Sequence, residues 1–179
     1  RVDPATDGAT IATSDKSISA GPGENIIETS LTISGHQLWT PENPALYRVT
    51  AGIQAVGSQS ADQQSVRCGF RDFRFENGYF QLNGRRILPK GLLYVPYFPV
   101  TYVFPHDPEL LKQDVKFLKM CGYNFVRLAF RSMPQLVELC DEAGLLVYQE
   151  HYGSWELKDS ANMKSRFNAS ISEVVRRDR

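Results

Sequence analysis

The fold is decided by residues 107–150, DPELLKQDVKFLKMCGYNFVRLAFRSMPQLVELCDEAGLLVYQE. Leu111, Val115 and Leu118 repeat at helical spacing between a Pro near the start, which suits the first turn of a helix, and Gly122, which suits its end. Short, wholly apolar stretches follow and alternate with a second helical pattern. The stretch therefore predicts helix 108–121, strand 124–130, helix 133–143 and strand 145–150.

Two further elements extend this alternation. Residues 90–94 predict a preceding strand, and residues 161–177 predict a final helix. Apolar strands joined by helices are typical of a parallel sheet that is covered on both faces, either doubly wound or closed into a barrel. The three strand-helix units are fewer than those of an eight-fold barrel, which takes roughly 250 residues.

The N-terminal part has a different period. Between residues 26 and 75 apolar and polar residues mostly alternate, as in half-buried antiparallel strands, most clearly at 47–54 and 66–71. Turn-rich stretches separate these runs, as in an immunoglobulin-like sandwich, so we predict such a domain over residues 1–76. Asn77-Gly78 and Asn83-Gly84 are favoured hairpin turns. We expect residues 79–88 to fold back on themselves ahead of a second domain over 77–179.

Composition excludes several kinds of partner. The 179 residues carry 20 basic and 20 acidic side chains, so the formal net charge of zero argues against binding to nucleic acid or to an anionic membrane surface. No apolar run is long enough for a membrane span, and His, Cys, Asp and Glu show no spacing typical of metal ligands. The chain starts without Met or a signal-peptide core, so we expect a soluble protein whose native N-terminus precedes Arg1.

Four segments resemble motifs of glycoside hydrolase family 2, which includes β-galactosidases, β-glucuronidases and β-mannosidases. Each motif is weak alone, and their order and spacing carry the resemblance. The segments are LWTPENPALY at 38–47, CGFR at 68–71, FQLNGRRI at 80–87, and NFVR at 124–127 together with CDEAGL at 140–145.

The resemblance implies an immunoglobulin-like sandwich whose leading strands we expect to precede Arg1, followed by the first three units of a (β/α)8 TIM barrel. It implies a retaining hydrolase of terminal β-linked sugars that uses two glutamates and no cofactor. By resemblance both glutamates follow residue 179, so we expect the chain alone to be inactive. The expected partners are a carbohydrate and the missing remainder of the barrel.

Candidate site residues follow the predicted strands, because active sites of such barrels lie at the carboxyl ends of the strands. By resemblance Arg127 orients the nucleophilic glutamate, and the alternative is a surface salt bridge. Glu150 and His151 end the third predicted strand, where a carboxylate suits sugar hydroxyls or Arg127; the alternative is a solvated turn. Trp155 is a candidate for stacking on a sugar ring, and the alternative is that it is a lid residue. Tyr94 is a weaker candidate for substrate binding.

Trp39 is interpreted as a core anchor of the sandwich.

Two segments depart from the family pattern. In the family, the sequence after the N-VR motif commonly continues toward SHYP, whereas this chain has LAFR at residues 128–131. The G-N-H pattern that often follows the hairpin is replaced by GLLY at residues 91–94. Both changes remove polar groups from the expected sugar site. They motivate the alternative of a non-catalytic carbohydrate-binding or scaffold protein that retains the fold. A third alternative is that self-association completes the three β/α units.

Overall fold

The computed structural model describes residues 1–102, 105, 107–129, 133–151 and 158–178. The chain forms two compact units. The first consists of Arg1–Leu38 and Ala45–Phe70, and the second of Trp39–Pro44 and Arg71–Arg179. A domain boundary between residues 76 and 77 stays a prediction.

The first unit contains a three-stranded antiparallel sheet. Its strands are β1 (Val2–Pro4), β2 (Tyr47–Gln54) and β3 (Ala61–Cys68), in that spatial order. Strand β2 confirms the predicted run at 47–54, whereas β3 confirms the run at 66–71 only for residues 66–68, because residues 69–71 lie outside the strand. The expectation of strand structure from residue 26 onward is wrong for residues 26–46, which form no strand. Ile26 is 86% exposed there, and a strand is stable only where a neighbour satisfies its backbone groups.

The second unit begins with a hairpin sheet. Strands β4 (Phe73–Glu76), β5 (Tyr79–Leu82) and β6 (Arg85–Arg86) pair antiparallel in chain order. Two-residue turns connect them, with φ of +54° and +80° at Asn77-Gly78 and +52° and +75° at Asn83-Gly84. Positive φ at both central residues is what these hairpins require, so the turn prediction is confirmed.

A parallel sheet flanked by helices follows. Its strands are β7 (Gly91–Tyr94), β8 (Phe125–Leu128) and β9 (Leu146–Gln149), and they lie side by side in chain order. The helices are α1 (Glu109–Met120), α2 (Pro134–Ala143) and α3 (Met163–Arg177). Each predicted helix and each predicted strand of the β/α alternation is therefore present, and the observed elements are shorter at their ends.

The core of the second unit lies between the parallel sheet and helices α1 and α2. Side chains alternate across a strand, so Val126 and Leu128 share one face of β8, and each is only 1% exposed. Arg127 lies between them and belongs to the opposite face. The buried helix residues in this core are Leu111, Val115 and Leu118 of α1 and Leu136 and Cys140 of α2.

A short segment, Trp39–Pro44, ties several elements of the second unit together, and we call it the Trp39 strap. The fully buried Trp39 donates from Nε1 to the carbonyl of Asp141, at 2.9 Å. Its own carbonyl accepts from Nδ2 of Asn83, at 3.0 Å. Trp39 is a core anchor, and the structure corrects its assignment: it belongs to the second unit and not to the sandwich.

Lys119 completes the attachment of the Trp39 strap. Its ammonium group donates to the carbonyls of Pro41, at 3.0 Å, and of Gly144, at 3.1 Å. Gly144 caps α2 with φ of +76°, and a Cβ atom at this position would lie 2.3 Å from the Pro41 carbonyl oxygen. The glycine is therefore required both by the backbone conformation and by the close approach of the strap.

We expect Gly144→Ala to destabilise the protein more than Gly122→Ala. Gly122 has φ of +79° but nothing within 4 Å of the position of a Cβ atom, so its substitution isolates the conformational cost of about 1 kcal/mol. Gly144→Ala adds displacement of the strap, and we expect a total loss of about 2–4 kcal/mol. Urea unfolding of both variants measures the difference. Equal losses would show that the strap does not constrain this position.

Candidate functional site

Arg127 and Glu150 meet at the carboxyl ends of neighbouring parallel strands. The guanidinium donates to Oε2 of Glu150 from Nη2, at 3.0 Å, and from Nε, at 3.2 Å. Arg127 pairs with Tyr148 in the register of β8 and β9, and Glu150 lies two residues beyond Tyr148, so alternation returns it to the same face. The Glu150 amide donates to the carbonyl of Leu128, at 3.0 Å, which continues the ladder past β9.

The two partners differ in their environment. Glu150 is 7% exposed, whereas the Arg127 side chain is 48% exposed. A buried carboxylate therefore holds one edge of a guanidinium that remains accessible. Such a group is fixed in orientation and can still receive a second anionic or hydroxyl oxygen, because guanidinium presents five donors in a planar fork.

Tyr148 extends the exposed face around Arg127. The Tyr148 ring centroid lies 6.0 Å from Cζ of Arg127, at the outer range of a cation–π contact. Leu93 of β7 is in register with Arg127 and is also exposed. Sequence reasoning did not single out Tyr148, although the period of two that places Glu150 beside Arg127 also places Tyr148 there.

Tyr94 lies on the face of the sheet opposite to Arg127. Its hydroxyl donates to Oδ2 of Asp114 on α1, at 2.6 Å. Burial of the ring, followed by this hydrogen bond, raises the pKa of Tyr94 well above its ordinary value. The structure therefore gives Tyr94 a contact between the sheet and α1 and does not bring it together with Arg127 and Glu150.

His151 follows Glu150 and contacts α3. Its Nε2 lies 2.9 Å from Oγ of Ser170, and its ring is in edge contact with Phe167, with centroids 4.7 Å apart. Trp155, the candidate for sugar stacking, lies outside the described residues, as does Phe130 of the departing LAFR segment.

Two searches bear on other classes of site. Within the ranges that the structure describes, no cluster of three or more His, Cys, Asp or Glu side chains is arranged to hold a metal ion. In those same ranges, no helix combines the length and the apolar character that crossing a membrane requires.

Comparison with known proteins identifies a family. The family model described as "Glycosyl hydrolases family 2" matches residues 3–71. A β-galactosidase of Psychromonas ingrahamii is 29% identical in an alignment of 162 residues that covers 87% of this chain and 16% of the relative. A β-galactosidase of Alteromonas mediterranea is 30% identical over 131 residues, which are 73% of this chain and 12% of the relative.

A solved structure has a similar fold. The crystal structure of a β-glucuronidase from Parabacteroides merdae superimposes with a TM-score of 0.74 and 22% identity, covering 84% of this chain and 19% of that one. At this identity the likeness concerns the fold alone. The chain spans less than a fifth of the length of the curated relatives named here.

We expect Arg127→Ala to destabilise the protein more than Glu150→Gln, because the burial of the pair is asymmetric. Removing the arginine takes from a buried carboxylate the two charge-assisted hydrogen bonds that it accepts from the guanidinium, at a cost of about 1–3 kcal/mol. Removing the charge of the glutamate leaves a half-exposed guanidinium that water can solvate, at a cost below about 1 kcal/mol. Urea unfolding at neutral pH measures both losses.

Arg74→Ala serves as the control for that comparison, because Arg74 forms an ion pair with Asp72 in which both side chains are at least half exposed. We expect a change below about 1 kcal/mol. A loss for Glu150→Gln that equals or exceeds the loss for Arg127→Ala would contradict the proposed asymmetry.

Tyr94 gives the protein an alkaline sensitivity that Tyr94→Phe should remove. Because the pKa of Tyr94 is raised in the folded state, its contribution to stability is fully present below the ordinary pKa of about 10 and is lost as the pH rises through the folded value. We expect the stability of the original protein, relative to Tyr94→Phe, to fall by up to about 1.4 kcal/mol per pH unit above pH ~10. Denaturation series between pH 9 and 11 test this, with the exposed Tyr97→Phe as control. A difference that is independent of pH would contradict it.

Proposed function

Because this chain belongs to family 2 of the glycosyl hydrolases, we propose that it is the part of a retaining glycosidase that joins a sandwich domain to the catalytic barrel. In this proposal β7, β8 and β9 are the first three strands of a (β/α)8 barrel. The parallel chain-order sheet with helices between its strands supports the proposal.

The reaction requires two carboxyl groups about 5 Å apart. One attacks the anomeric carbon and displaces the leaving oxygen, to which the other gives its proton; water then hydrolyses the glycosyl ester with the second group acting as base. We propose that both groups are glutamates of later barrel strands in a longer protein. On this view the present chain supplies no reacting atom and is inactive alone.

The observation that carries the proposal is the Arg127–Glu150 pair at the carboxyl end of the sheet. A barrel enzyme reacts at this end, and the nucleophile must be ionised before it attacks. Arg127 donates two N–H groups to Glu150 and keeps about half of its surface exposed. We propose that its accessible edge donates to the nucleophilic glutamate, which holds that carboxylate charged and oriented.

The substrate class follows from the same assignment. The relatives compared above are named as β-galactosidases and a β-glucuronidase, and we propose that the full-length protein acts on a terminal β-linked pyranoside. Tyr148, 56% exposed and beside Arg127, offers an aromatic face and a hydroxyl to such a sugar. No metal or cofactor is part of this proposal.

We expect Arg127→Lys in the full-length protein to lower kcat/KM by roughly 100- to 1,000-fold, because an ammonium group cannot reproduce two planar donors. The measurement is hydrolysis of a panel of nitrophenyl β-glycosides. Arg166→Lys, at an exposed position on α3, is the matched control and should retain full activity.

The same panel separates the proposal from its alternative. Turnover of one glycoside that falls by this factor in Arg127→Lys would support the glycosidase assignment. Calorimetric binding of sugars without turnover of any substrate would instead favour a non-catalytic carbohydrate-binding protein. Undiminished turnover in Arg127→Lys would remove Arg127 from the site.

A further inference from the structure

Glu150 depends on its surroundings for its position, because it is the first residue after the end of β9. Its amide donates to the Leu128 carbonyl, at 3.0 Å, and its carbonyl accepts from Nε2 of Gln149, at 2.7 Å. These contacts fix the backbone on the side of the parallel sheet. The next residue, His151, makes a second attachment on the side of α3.

His151 provides that second attachment. It is bonded covalently to Glu150, and its side chain reaches α3, where Nε2 lies 2.9 Å from Oγ of Ser170. The ring also contacts Phe167, one helical turn before Ser170, with centroids 4.7 Å apart. Helix α3 has no fully buried residue, and these two contacts connect it to the residue that follows Glu150.

We propose that His151 is a positioning residue, which holds the end of β9 against α3 and so keeps the Glu150 carboxylate on Arg127. The inference rests on the proposed role of Arg127 and adds a residue to it. A hydroxyl both donates and accepts, so the bond between His151 and Ser170 forms in either neutral tautomer of the imidazole. Displacements of about 1 Å at a catalytic site cost up to roughly 100-fold in rate, so a small movement of Glu150 is sufficient to matter.

The test is a set of variants of the full-length protein, assayed on whichever nitrophenyl β-glycoside it cleaves. His151→Phe keeps the ring contact with Phe167 and loses the hydrogen bond, and Ser170→Ala removes the same bond from the other side. We expect each to lower kcat by roughly 10- to 100-fold with KM changed less than about threefold, because Arg127 acts on the transition state. His151→Gln, which retains a hydrogen-bonding group near the position of Nε2, should recover most of the activity.

Ser165→Ala is the matched control. Ser165 lies on α3 and bonds to the Asn162 carbonyl of its own first turn, so the same substitution there should leave kcat unchanged. A general loosening of α3 would instead lower the melting temperature in all serine variants and leave kcat of the folded protein intact. That pattern would overturn the positioning role.

A double-mutant cycle decides whether His151 acts through Glu150. If it does, Glu150→Gln/His151→Phe should have the same kcat as Glu150→Gln alone, within about twofold. Multiplicative losses would overturn the inference. If the full-length protein cleaves no glycoside, the proposed function fails. The inference is then decided by the melting temperatures of the original protein, Glu150→Gln, His151→Phe and the double variant. Non-additive shifts support coupling between His151 and Glu150, and additive shifts overturn it.

Discussion

Strand β8 has to bury one face, and this constraint determines where the candidate site lies. Val126 and Leu128 pack against α1 and α2 and are almost completely buried. Because side chains alternate along a strand, Arg127 is directed to the other face. Parallel pairing with β9 then brings Tyr148 into register with Arg127 and places Glu150 one step beyond the strand. The packing of the core and the geometry of the site are therefore one consequence of the same register.

The two ends of the parallel sheet in the second unit carry different groups of contacts. Near the carboxyl ends of α1 and α2, the Trp39 strap is held by the buried indole and by the ammonium group of Lys119. Both helices run antiparallel to the strands, as in any β/α unit, so these attachments lie at the amino end of the sheet. Arg127 and Glu150 lie at the carboxyl end. In β/α barrels the first end contributes stability and the second contributes chemistry, and the proposed function gives the two ends of this sheet the same division.

Much of the second unit is predictable from local signals. Its helices are located by the spacing of apolar residues in α1 and by the glycines that follow α1 and α2, Gly122 and Gly144. Its hairpins are located by the two Asn-Gly turns. The pairing of Arg127 with Glu150 was among the alternatives that the sequence offered. The strap was not predictable, because Trp39 meets Asp141 across 102 positions of the chain. The alternating pattern of 26–46 was misleading because alternation describes a surface that can be half-buried and does not supply a pairing partner. The contact of Tyr94 with Asp114 likewise depends on how α1 is placed on the sheet.

We propose that Arg127, fixed by Glu150, orients the nucleophile of a retaining glycosidase. The most direct measurement is a crystal structure of the full-length protein with a mechanism-based inhibitor that forms a covalent glycosyl ester. We expect the labelled residue to be a glutamate at the carboxyl end of a later barrel strand, with the Arg127 guanidinium within about 3 Å of its carboxyl oxygens. A labelled residue far from Arg127, or at the opposite end of the sheet, would contradict it.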